Sequence, residues 1–321
     1  MNGKRGFCLL LAVLMLSALC GCGRTETVSE ESVPLFGWLS RKSDSDSAAV
    51  EDRGPYIAPE FLDAAFHPSL AEGPSNARLD LSALAEGYVA VSAVSSQRLK
   101  FQVIMGEYKY NYDLSPDGAP SVFPLPYGNG LYTFRVMENV AESRYAEIYS
   151  ASREVVLLDE FQPFLRPNTY VNYTRDSACV KKAQELAETA GDALGLVGAV
   201  FRFVCDTVTY DMEKASTVRS GYVPTPDETM TTGKGICFDY ASLAGAMLRS
   251  QGIPTREVFG YVSPNGVYHA WNMFYTEQTG WVTVSYEVDI GWNRMDLTFS
   301  ANGADADFIG DGSNYSEVFY F

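Results

Sequence analysis

Apolar residues along this chain change their spacing at about residue 177, and the change sets which layers the chain can build and in what order. Between residues 56 and 173 they come in short β-branched and aromatic runs: Gly87-Tyr88-Val89-Ala90-Val91, Leu99-Lys100-Phe101-Gln102-Val103-Ile104, Gly130-Leu131-Tyr132-Thr133-Phe134-Arg135-Val136 and Arg153-Glu154-Val155-Val156-Leu157-Leu158. Turn residues such as Pro116-Asp117-Gly118 and Tyr127-Gly128-Asn129-Gly130 separate them, the pattern of an all-β, sandwich-like domain. Beyond it the period becomes helical. Ala178, Val180, Ala183, Leu186 and Ala187 mark one helix. Leu194, Val197, Val200, Phe201 and Val204 mark a second, with Asp192 as its N-cap. A third begins near Gly235 and stops at Gly252-Ile253-Pro254, where glycine can take the left-handed cap and proline cannot continue the helix. Strands are expected at 256–262, 267–275, 281–288 and 292–295, with Pro264-Asn265-Gly266 and Thr279-Gly280 as turns. Helices followed by an antiparallel sheet predict an α+β domain over residues 174–321.

The N-terminal residues are of another kind. Lys4 and Arg5 precede an apolar run at residues 7–19, too short to span a bilayer but of ordinary length for an export signal. Leu19-Cys20-Gly21-Cys22 resembles a bacterial lipobox, and Cys22 fits it better than Cys20 because small Gly21 precedes the cut and Leu19 lies three residues ahead. Residues 1–21 are therefore read as a lipoprotein signal peptide. Residues 22–55 are rich in Ser, Glu and Asp, cannot bury enough apolar surface to fold, and are read as a tether. The expected location is the outer face of a bacterial membrane, held by lipid on Cys22. A net charge of −16 makes nucleic acid a poor partner.

Six cysteines are present, and export would remove Cys8 and Cys20 and lipidate Cys22. Cys179, Cys205 and Cys237 remain, an odd number that flags one reactive thiol. Cys179 and Cys205 lie on neighbouring helices and could pair; equally, both could be small buried apolar residues. Cys237 stands where the glycine-rich stretch Gly233-Lys234-Gly235 gives way to a helix, and His269 follows 32 residues later in Tyr268-His269-Ala270-Trp271-Asn272. A free thiol with a pKa near ~8.5 is only a few per cent ionised at neutral pH. A helix N-terminus contributes about 0.3–1 kcal/mol toward the thiolate, less than one pKa unit, so a neighbouring imidazolium is required. A third group must then orient the imidazole. Cys237, Ala241, Ala244 and Leu248 share one helical stripe, and the two alanines let the helix lie close against a sheet. His67, in the leading segment of the β domain with no cysteine or acidic motif nearby, reads as a surface or capping histidine.

The ordered segments Gly235-Ile236-Cys237-Phe238-Asp239-Tyr240-Ala241, Leu248-Arg249-Ser250-Gln251-Gly252-Ile253-Pro254-Thr255-Arg256, Gly260-Tyr261 and His269-Ala270-Trp271 resemble the transglutaminase-like cysteine enzymes, as does Val208-Thr209-Tyr210-Asp211 upstream. The resemblance covers residues 177–299. It implies a papain-like transglutaminase core of helices plus antiparallel sheet, with cysteine at a helix start and histidine and aspartate on strands. The catalytic set it implies is Cys237, His269 and Asp296, the last from Trp292-Asn293-Arg294-Met295-Asp296-Leu297-Thr298. A rival register from Trp281 leads to Ser285, which would break the triad, and Asp289 is the fallback, better explained as a turn residue. Choosing Asp296 makes the 281–288 strand an excursion between the histidine and aspartate strands. The Cys237 amide is the natural first donor to an oxyanion. Tyr222, in the loop before the cysteine, and Trp271 are the remaining oxyanion or cleft candidates, and Asp239 reads as a cap on loop amides. The implied reaction is acyl transfer through a thioester, with hydrolysis of a peptide or amide bond favoured over crosslinking. Its partner would be a protein or peptide substrate, cell-wall peptides included. The rival class is a peptide-binding module that keeps the fold without turnover.

Two histidines and no C-x-x-C leave too few ligands for zinc, and no cofactor is expected. Asp305-Ala306-Asp307-Phe308-Ile309-Gly310 has Ile309 at a position where a calcium loop places an oxygen ligand, and reads as a solvated acidic loop.

Overall fold

The computed structural model describes residues 54–262, 267–283 and 315–321. The export signal, the lipid-bearing Cys22 and most of the tether lie outside these residues, as do Ser285, Asp289, Asp296, the strand expected at 292–295 and the acidic loop at 305–310.

An N-terminal β region comes first. Its strands are β1 (Ala77–Asp80), β2 (Tyr88–Ala93), β3 (Leu99–Met105), β4 (Tyr108–Leu114), β5 (Ser121–Pro124), β6 (Gly130–Ala141) and β7 (Arg144–Val155). They form two antiparallel sheets, ordered β1-β2-β5 and β4-β3-β6-β7. Alternation along the strands sends Leu79, Val89, Val91 and Phe123 of the first sheet and Phe101, Val103, Phe134 and Val136 of the second into one buried cluster. Phe101 stacks on Phe123 at 5.1 Å between ring centroids, joining the two sheets through their inner faces.

The helical period after residue 177 becomes α1 (Ala178–Ala187) and α2 (Ala193–Thr207), where the Asp192 side chain accepts from the Gly195 amide at 2.7 Å. Then come β8 (Thr209–Tyr210), α3 (Met212–Thr217), α4 (Pro226–Thr232), β9 (Lys234–Gly235) and α5 (Cys237–Ser250). Helix α5 is almost wholly buried. Leu243, Ala244, Met247 and Leu248 pack with Val180, Ala183, Val200 and Val204 of the earlier helices. It ends where Gly252 takes φ +76°, as the Gly-Ile-Pro stop predicted.

A third antiparallel sheet follows, β10 (Thr255–Val262), β11 (Val267–Thr276), β12 (Gly280–Thr283) and β13 (Tyr315–Tyr320), in the order β12-β11-β10-β13. The 281–288 expectation survives as β12 at its start; residues 284–290 lie outside the described structure. Strand β13 pairs antiparallel with β10, so the sheet edge there is closed by a segment far away in sequence. The architecture is α+β, a β-sheet region preceding a helix-and-sheet region. The buried cluster of the β region runs on into Ala241, Phe259, Ala270 and Phe321, so the two regions share apolar packing.

Candidate active site

The turn before α5 is built around one carboxylate. Asp239, three residues past the N-cap Ile236, is fully buried and its Oδ2 accepts from the Ile236 amide at 2.8 Å. This satisfies one of the amides that any helix start leaves without an intrahelical partner. The same oxygen lies 2.8 Å from Lys214 Nζ on α3, and Oδ1 accepts from the Tyr222 hydroxyl. Lys214 Nζ also donates to the Tyr222 oxygen at 2.6 Å, closing a three-residue network. Gly235 is required for close approach: a β-carbon there would lie 2.6 Å from the Asp239 β-carbon. The Gly-x-Cys-x-Asp spacing is therefore a packing rule. Glycine makes room for the aspartate, the aspartate pins the turn, and the cysteine between them becomes the first residue of the helix.

His269 reaches the site from the sheet. It lies on β11 opposite Gly260 of β10, is only 4% exposed, and has the Trp271 ring 6.4 Å away on the same strand face. From the opposite face of β11, Asn272 donates through Nδ2 to the Ala241 carbonyl at 3.1 Å, which ties the histidine strand to α5 one turn beyond the cysteine. Cys237 and His269 both line a single cleft of about 600 Å³.

The facing wall comes from the β region. Tyr110 and Tyr112 of β4 line the cleft, with Tyr170 beside them. Tyr112 stacks on Phe123 at 4.3 Å, and the Tyr110 hydroxyl donates to the Tyr320 carbonyl at 3.0 Å and accepts from the Tyr320 amide at 3.3 Å. Burial holds the Tyr110, Tyr112 and Tyr170 hydroxyls protonated far above the ordinary phenol range, and it pushes Tyr268, also in the cleft, up to about 12. These rings are neutral hydrogen-bonding surface at any physiological pH.

Of the residues expected from sequence, Cys237, His269 and Tyr222 are brought to one cleft. The Tyr222 hydroxyl has its single hydrogen on Asp239, and would have to leave that bond to serve an oxyanion. Trp271 does not line the cleft; on the same face of β11 as His269, it is buried against Val258 in a small cluster. Asp239 caps the turn as expected. Cys179 and Cys205 are not joined by a disulfide, and burial with nearby Asp227 pushes the Cys179 thiol far above its usual range. His67 is half-exposed, its Nδ1 3.0 Å from Asp80 Oδ2. Among the described residues no group of His, Cys, Asp and Glu is arranged to hold a metal, and no helix is long and apolar enough to cross a membrane.

Three features were not foreseen: Lys214, the β4 wall, and Glu257. Glu257 on β10 is fully buried, and neither carboxylate oxygen has a hydrogen-bond partner among the described residues. Burial pushes its pKa well above the carboxylate range, against the pull of Arg249, with Cys237 and Asp239 close enough to add to the rise. Its cross-strand partner Asn272 likewise has an unpartnered Oδ1 among the described residues, a natural acceptor for a protonated Glu257. Arg249 donates instead to the carbonyls of Thr255, Arg166 and Phe321.

Residues 180–286 match the family model of the Transglutaminase-like superfamily, a stretch that contains both Cys237 and His269. A protein-glutamine gamma-glutamyltransferase of Pseudomonas aeruginosa is 27% identical over 143 residues, covering 40% of this chain and 21% of its own. The chain thus spans about a fifth of that relative's length. Among solved structures, a candidate cysteine protease from Cytophaga hutchinsonii is 16% identical with a TM-score of 0.35, over 73% of this chain and 86% of its own. Red sea bream transglutaminase is 14% identical with a TM-score of 0.27, over 61% of this chain and 47% of its own.

Proposed function

We propose that this chain is a transglutaminase-like cysteine enzyme on a papain-like core, working by acyl transfer from a peptide or carboxamide. The observation that carries the reading is that Cys237, at a helix N-terminus, and His269, on the adjoining sheet, both line one cleft. His269 takes the thiol proton as Cys237 Sγ forms a bond to the substrate carbonyl carbon. The tetrahedral oxyanion is met by the Cys237 amide, which as the first helical N–H has no intrahelical acceptor. Collapse breaks the carbonyl carbon–nitrogen bond, the leaving amine takes the proton from His269, and a thioester remains. Water then attacks with His269 as base, releasing a carboxylic acid and restoring the thiol. Asp296 is assigned the orientation of His269. Hydrolysis is preferred to crosslinking because water is abundant at a cell surface and nothing in the sequence marks an amine-binding site. Export with lipid on Cys22 would place the reaction outside the cell membrane.

The test compares wild type with Cys237→Ala on a peptide library, scoring cleavage, ammonia release and amine incorporation together. Wild-type activity in one channel that vanishes in the variant supports the reading and names the reaction. Identical backgrounds in all three channels, together with no alkylation of Cys237 at mild pH, overturn it in favour of a binding module.

A further inference from the structure

The charges around the cleft run against those of the chain. The sequence carries a net charge of −16, yet among the described residues no Asp or Glu lines the cleft, whereas Lys109 and Arg219 both do. Both cations are exposed, and neither is ion-paired among the described residues. They come from different parts of the fold. Lys109 is an outward residue of β4, and Arg219 lies in the loop after α3 that also carries Tyr222. Gly221 brings the loop against the strand: at φ +85°, a β-carbon there would stand 3.6 Å from the Asp113 carboxylate of β4. Asp113, on the same strand as Lys109, has its charge taken up by Lys100 at 2.7 Å. The buried acid beneath the cysteine, Asp239, is neutralised by Lys214. Between the rim and Cys237 the surface is aromatic, with Tyr112 and Tyr170 as its floor.

Resting on the enzymatic reading above, we propose that the substrate is an acidic peptide: a carboxylate near the reacting amide is held by Lys109 and Arg219, and an aromatic or aliphatic side chain beside it lies on the tyrosines. A cationic rim in a strongly anionic protein is also a selectivity filter. Acidic chains are repelled by the remaining surface and find their favourable potential at this rim, while basic peptides are drawn elsewhere.

The experiment uses the full chain and two peptide chloromethyl ketones differing in one side chain, glutamyl-tyrosyl-glycyl and lysyl-tyrosyl-glycyl. In each, Cys237 Sγ bonds to the methylene carbon, chloride leaves and the thiol proton is released to solvent through His269. The ratio of second-order labelling rates at Cys237, read by mass spectrometry, should favour the glutamyl probe by about three- to tenfold, as expected for two partly solvated ion pairs. The double variant Lys109→Glu, Arg219→Glu should invert that ratio, its fold checked by circular dichroism. Raising salt from low to high on wild-type protein should shrink the ratio toward one, a measurement that stands even if the variant fails to fold. Equal labelling by the two probes at low salt, or a ratio indifferent to salt and to charge reversal, overturns the acidic-substrate proposal and leaves the enzymatic reading intact. Failure of both probes to label Cys237 overturns the enzymatic reading and this proposal with it.

Discussion

The two walls of the cleft are built on opposite plans. On the helix-and-sheet side, charge is buried and accounted for: Asp239 has no exposure, and Ile236, Lys214 and Tyr222 are all bound to it. On the β side, charge is kept outside and rings are kept inside, with Tyr110, Tyr112 and Leu114 buried while Lys109, Asn111 and Asp113 face out. The first plan fixes a nucleophile to a tolerance that chemistry demands. The second presents an apolar, hydrogen-bonding floor whose outer charges can be exchanged without touching the core. On the proposed function, reaction and selection would be separated onto different parts of the chain, meeting across the cleft.

The largest effect that could break this division is loss of turnover without loss of fold. Cys237→Ala and His269→Ala should each lower turnover by about 10⁴-fold or more. The denaturant midpoint of Cys237→Ala should stay close to wild type, since the thiol is only partly buried. On the opposite wall the balance should reverse. Tyr112→Ala removes a buried ring and should cost about 3–5 kcal/mol in urea unfolding, whereas Lys109→Ala on the outer face of the same strand should stay within about 0.5 kcal/mol. A Tyr112 variant that kept full stability and lost only turnover would abolish the distinction between the walls. Smaller is the effect of Lys214→Met, which leaves Asp239 with no counter-cation near the helix start. Iodoacetamide alkylation of Cys237 at neutral pH should slow about three- to tenfold.

A pH-dependent effect concerns Glu257, which sits behind the chemical wall. Burial keeps its carboxyl protonated in the folded protein, while the unfolded chain gives up that proton above about pH 4.3. Its contribution to stability is therefore complete below that pH and is lost as pH rises toward the folded-state value. Glu257→Gln cannot titrate, so it should gain on wild type by about 1.4 kcal/mol per pH unit or less between pH 5 and 8, measured by denaturant unfolding at each pH. A constant difference across that range would show that Glu257 is charged in the folded state.

The chemical wall was legible in the sequence because it is local. Five residues, Gly235 to Asp239, contain the close approach, the cap and the nucleophile, and the period of α5 follows directly. His269 was legible because its strand has an apolar run and ends at a turn. Lys214 was not, since a short helix carries little periodic signal and its partner lies 25 positions on; the ion pair exists only after β8 and β9 pair in parallel. Strand β4 did carry a signal, the strict alternation Tyr108-Lys109-Tyr110-Asn111-Tyr112-Asp113-Leu114, which reads as a half-buried strand. What no local pattern could show is that its buried face would meet the cysteine. Strand β13 is a comparable case: its partner β10 is distant, and pairing across such a span leaves no mark on either segment alone.

The paired hydrogen bonds between Tyr110 and Tyr320 join residues 210 positions apart. In kinetic terms they are among the costliest contacts for a searching chain to make, because loop closure must precede any return from the contact itself. The cleft should therefore be assembled late, after each region has gathered its own sheet and helices. A polypeptide still emerging from the ribosome would carry its thiol without the β4 wall beside it, and would complete the cleft only on completing the fold. Hydrogen exchange during refolding should show the Tyr320 amide gaining protection after the amides of α5 and β3.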